Sequence, residues 1–96
     1  MNEAHQLYPV LLDASRAAFA GHLFSTAYHS LSGAMYCAVQ LKDGSKLKEI
    51  EQLAREQYDA LRTSSHEPAV TKEPIELSLY ISLLQIVRTR IILVPK

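Results

Sequence analysis

The sequence predicts an all-α fold of four helices, packed as an antiparallel bundle or as stacked helical hairpins. Three observations predict it. Apolar residues recur at intervals of three and four along four separate stretches, the pattern of a helix with a buried face. No stretch alternates apolar and polar residues like a half-buried strand, and no Asn-Gly hairpin turn occurs. The break at Gly21 is so short that the first two helices must form an antiparallel hairpin. Ninety-six residues suffice for one domain with one core.

The first helix is expected over residues 7–20. Leu7, Leu11, Ala14 and Ala18 form an expected inward row, with Tyr8, Leu12 and Phe19 beside it. Pro9 suits a first turn, where its missing N–H costs nothing; a helix starting near Glu3 would instead carry Pro9 inside and kink there. Asp13 and Arg16 make a weak surface pair, and Gly21 is the expected stop.

The second helix is expected over residues 22–42. Phe24, Ala27, Tyr28, Leu31, Ala34, Met35 and Ala38 repeat at helical spacing. Between His22 and Leu41 there is no Lys, Arg, Asp or Glu, and the other side is neutral and polar: His22, Ser25, His29, Ser32, Tyr36 and Gln40. A surface helix normally sets charges opposite its apolar stripe. This one is therefore expected at the centre, with neighbours on more than one side. In Lys42-Asp43-Gly44-Ser45, Lys42 complements the helix dipole, Gly44 is expected to take positive φ, and Ser45 to cap the third helix.

The third helix, about residues 46–62, sets Leu47, Ile50, Leu53, Ala54, Tyr58 (or Gln57) and Leu61 against Lys48, Glu51, Arg55, Glu56, Asp59 and Arg62. It reads as an ordinary amphipathic helix with a solvated charged side, and Glu51–Arg55 is an i,i+4 pair in the favoured order. Residues 63–73 form the one long linker, rich in Ser and Thr, with Pro68 inside it and Pro74 closing it. The fourth helix, about residues 74–93, has a narrow polar stripe of Ser78, Ser82, Gln85 and Thr89; almost everything else in it is large and apolar. One neighbour needs an apolar arc of only about 100°. The helix must fill the centre of the monomer or offer a second face to another chain.

Ten basic and ten acidic side chains cancel, which argues against binding a polyanion such as nucleic acid. Zero net charge also removes the repulsion that keeps small domains apart, favouring a homo-oligomer. Charged and polar interruptions argue against either apolar stretch entering a membrane. A single cysteine, Cys37, allows no internal disulfide, and the N-terminus lacks a secretion-signal pattern, so a cytoplasmic setting is expected. Cys37 lies beside the apolar stripe, where an inert buried thiol is the default.

The hairpin from Leu11 to Gln40 resembles a tetratricopeptide-type repeat, carried by Leu11, Ala14, Ser15 and Ala18 in its first helix and Phe24, Ala27, Leu31 and Ala34 in its second. Leu11 stands where that family has a large aromatic, and Ser15 where it has glycine. The resemblance implies stacked hairpins with a groove for a partner helix. The run His29-Ser30-Leu31-Ser32-Gly33-Ala34 resembles the H-x-L-K-G-x motif of histidine phosphotransfer domains, which are four-helix bundles. It implies a phosphoryl carrier using His29, with Gly33 clearing space for an acidic partner domain; Ser32 replaces the family's lysine.

Other chemistry is sparse. His22 and His29 stand seven residues apart, about 10.5 Å along a helix, too far for one metal ion. Arg62 and His66 could meet at the end of the third helix around an anion. No nucleophile–base signature or glycine-rich phosphate loop occurs, so neither catalysis nor a cofactor is expected. The expected function is a small protein–protein interaction or scaffold module that self-associates. The expected contact residues are Leu79, Leu83 and Ile86 on the fourth helix and His22, His29 and Tyr36 on the second.

Overall fold

In the computed structural model, which describes residues 3–64 and 75–94, the chain forms an all-α bundle of four helices: α1 (Glu3–Ala20), α2 (Phe24–Leu41), α3 (Gly44–Ser64) and α4 (Ile75–Leu93). Each helix runs antiparallel to the one before it. Ser15 in α1 reaches the carbonyl of Ala27 in α2, while Leu11 meets Gly33. Gln57 of α3 pairs with Tyr80 of α4, and Glu51 with Arg88. The α2 helix packs against all three others, as its missing charges predict; α1 and α4 flank it, and α3 lies behind.

The core runs the length of this arrangement. Leu31, Leu47, Ile50, Leu83, Tyr80 and Val87 are fully enclosed, and burial of each large aliphatic side chain contributes about 1.5–3 kcal/mol. Ala27, Ala34 and Ala38 are enclosed as well, so that α2 can approach its neighbours closely. Gly33 has a packing reason: a Cβ there would lie 3.2 Å from Leu11 Cδ1, so the absent side chain is the notch that receives Leu11.

The phase of α1 differs from the expected one. The buried row is Ala4, Tyr8, Leu12, Ser15 and Ala18, whereas Leu7 and Ala14 face outward. The reason is polar. The Tyr8 hydroxyl shares its proton between Glu49 Oε1 at 2.6 Å and the Lys46 carbonyl at 3.1 Å, which draws the ring between α1 and α3. Burial, followed by this bond to Glu49, pushes the phenol pKa well above its ordinary value. The helix also starts at Glu3 rather than near Leu7, with Pro9 inside it, because burying Ala4 and Tyr8 holds the first turn in place.

Both short turns close by the Schellman pattern, with the left-handed residue elsewhere than glycine. After α1 it is His22 (φ 63°), with Leu23 N–H donating to Ala18 O and His22 N–H to Phe19 O. After α2 it is Lys42 (φ 52°), with Asp43 N–H donating to Ala38 O and Lys42 N–H to Val39 O. His22 is thus a turn residue, not part of the second helix. Gly44 has no positive φ and opens α3; the cap is Asp43 rather than Ser45. Asp43 Oδ1 accepts from Ser45 N–H (3.0 Å), Lys46 N–H (3.1 Å) and the Ser45 hydroxyl (2.8 Å). The expected linker falls almost wholly outside the described residues, as does His66 of the suggested anion pair; Thr63 and Ser64 belong to α3.

Candidate functional site

The helices distribute their exposed side chains unevenly, and this unevenness defines the candidate site. On the side where α2 lies between α1 and α4, α1 presents Leu7, Val10, Ala14 and Ala17. The α2 helix presents Ser25, His29, Tyr36 and Gln40, and α4 presents Ile75, Leu79, Ser82, Ile86, Thr89 and Leu93. Among the described residues, formal charge enters this face only towards its ends, at Glu3, Lys42, Glu76 and Arg90. The opposite side, centred on α3, carries Lys48, Glu51, Arg55, Glu56 and Asp59. There Glu51 receives Arg88 at 2.9 Å and Arg55 at 3.7 Å, and Arg16 and Asp13 pair at 3.5 Å on α1.

The α4 helix explains its own greasiness. It buries Leu77, Tyr80, Leu83, Leu84 and Val87 and leaves Ile75, Ile81, Ile86, Ile92 and Leu93 in the open. Of the expected contact residues, Ile86 (45% exposed) and Tyr36 (63% exposed) are available and Leu79 is half-buried. Leu83, at 1% exposed, is a correction: it belongs to the monomer core and reaches no partner. On the side that α4 shares with α1 and α2, its side chains follow a spacing of four, three, four, three, four: Ile75, Leu79, Ser82, Ile86, Thr89 and Leu93. That is a heptad seam.

His22 and His29 are exposed but not equivalent. The imidazole of His22 meets Phe24 edge-on at 5.7 Å beside the turn, whereas His29 stands on the outer face of α2 against the edge of Tyr28 at 5.2 Å. Ser32, where a phosphotransfer domain has lysine, keeps its Oγ buried without a hydrogen-bond partner. Gly33 is already filled by Leu11. Cys37 is buried, and burial pushes its thiol pKa up. Among the described residues there is no cluster of three or more His, Cys, Asp or Glu side chains that could hold a metal ion, and no helix is long and apolar enough to cross a membrane.

One constellation was hidden in the sequence. Ser15 donates to the Ala27 carbonyl at 2.7 Å and accepts from Gln57 Nε2 at 3.1 Å; Gln57 Oε1 in turn accepts the Tyr80 hydroxyl proton at 2.5 Å. This buried relay joins all four helices at one level. Its only sequence signal was the alternative of Gln57 at an inward position of α3. Among the described residues, the clefts along the bundle include open surface grooves such as that between Arg55, Tyr58, Ile81 and Arg88. Comparison with protein families, with curated proteins and with solved structures found no match for the chain.

Proposed function

We propose that the chain is a small helical protein–protein interaction module that self-associates through its uncharged α1–α2–α4 face and has no catalysis of its own. The supporting observation is the segregation of charge: one broad side exposes Val10, Tyr36, Ile86 and their neighbours, while the charged residues of α3 gather on the other. Scattered exposed apolar residues are normal, but a contiguous uncharged set across three helices marks a contact surface. Zero net charge across the whole chain leaves no long-range repulsion between copies.

The test is solution mass by light scattering over a concentration series. The expected result is a species of at least twice the chain mass at about 100 μM that falls towards the single-chain mass on dilution, the behaviour of a modest interface. A single-chain mass at every concentration overturns the reading.

A further inference from the structure

We infer that the face is occupied by a second copy of this chain, seated face to face about a two-fold axis that crosses α1, α2 and α4 at right angles, so that each helix lies antiparallel over its own counterpart. This inference rests on the self-association proposed above and supplies its geometry. The seam of α4 is symmetric in spacing about Leu84: Ile75 and Leu93 lie nine residues to either side, Leu79 and Thr89 five, Ser82 and Ile86 two. An antiparallel copy therefore sets Ile75 over the partner's Leu93, and Ser82, a small residue, under the partner's Ile86.

The other two helices share that axis. Leu11 meets Gly33 between α1 and α2, Tyr28 meets Tyr80 between α2 and α4, and Gly44, at the start of α3 just past the end of α2, approaches Val94 after α4. These contacts place Leu84 level with Ser32–Gly33 and with Leu11–Leu12. Around that level α1 is large at one end and small at the other, so Leu7 falls over the partner's Ala17 and Val10 over the partner's Ala14. On α2, His29 falls opposite the partner's Tyr36, with Ser32 and Gly33 on the axis itself.

Two independent quantities favour a second copy over an unrelated partner. The first is charge. Glu76 and Arg90 flank the seam on the same side of α4, one near each end, so the antiparallel arrangement brings Glu76 of each copy to the partner's Arg90, two pairs in all. A parallel arrangement would stack like on like. The second is area. Helices about 28 Å long with axes about 9–10 Å apart make a face of roughly 700 Å², close to the about 800 Å² each partner gives to a standard interface.

The experiment measures mass and dissociation constant by sedimentation for the wild-type chain, for Ile86→Glu, for Glu76→Arg and for the swap Glu76→Arg/Arg90→Glu, with circular dichroism on each. Ile86 is exposed in the monomer, so its replacement leaves helicity intact; the dimer is expected to weaken about 100-fold. Glu76→Arg is expected to weaken it about tenfold and the swap to restore it to within about threefold. A wild-type dimer indifferent to Ile86→Glu overturns this face while leaving self-association standing. A dimer that the swap fails to restore overturns the antiparallel pairing. A wild-type chain that never dimerises removes the function proposed above together with this geometry.

Discussion

Gln57 is the residue on which the monomer's interior depends most. Its amide holds Ser15 with one end and Tyr80 with the other, and all three side chains are buried. Removing it leaves a phenol donor and a serine acceptor enclosed without partners, each worth about 1–3 kcal/mol. Gln57→Ala is accordingly expected to lose about 3–5 kcal/mol, and Tyr80→Phe, which strands only the Gln57 carbonyl, about 1–3 kcal/mol, measured by urea denaturation. Local pattern could not announce these bonds, because the partners are 42 and 23 residues apart. The same blindness affected α1. Leu7 looks like core and is exposed, whereas Tyr8 and Ser15 look amphipathic and are buried, each because of a hydrogen bond to a distant helix.

At the scale of elements, the order and number of helices were legible because periodicity is local, and α2 could be placed at the centre because it lacks the charges that a surface helix sets opposite its apolar stripe. Turn chemistry was legible only in part. The left-handed residue of a Schellman turn is fixed by which carbonyls end the helix, so it fell on His22 and Lys42 although glycines stood within two residues of each. The start of α3 carries a pH-dependent prediction. Hydrogen bonds from the Ser45 hydroxyl and the Lys46 N–H, and then the Lys46 ammonium, hold the Asp43 carboxyl below the usual carboxylate range. A carboxyl depressed in the folded state stabilises it above the unfolded pKa of about 4, and that contribution is lost as pH falls through the folded value. Asp43→Ala is expected to melt at a lower temperature than wild type at pH 7 and to converge with it near pH 2, in thermal scans across that range. A gap that persists undiminished at pH 2 would point to some other role for the side chain.

For the molecule as a whole, the two hairpins are bound by the relay, by Tyr8 on Lys46 and Glu49, and by one continuous core from Ala4 to Val87. Neither hairpin closes its own interior, so they are expected to unfold together. Circular dichroism at 222 nm and tyrosine fluorescence should give coincident melting curves in the Ile86→Glu background, where association does not intervene. Two resolved transitions would show that the hairpins are independent units. The separation of charge between the broad sides sets a limit on growth. When two copies bury their neutral faces, both outer surfaces of the pair are the α3 side, with its lysines, arginines, glutamates and aspartates already hydrated and partly neutralised by one another. A two-fold contact uses the same neutral face on both copies, so that face is spent in the pair and the assembly is closed by its own symmetry.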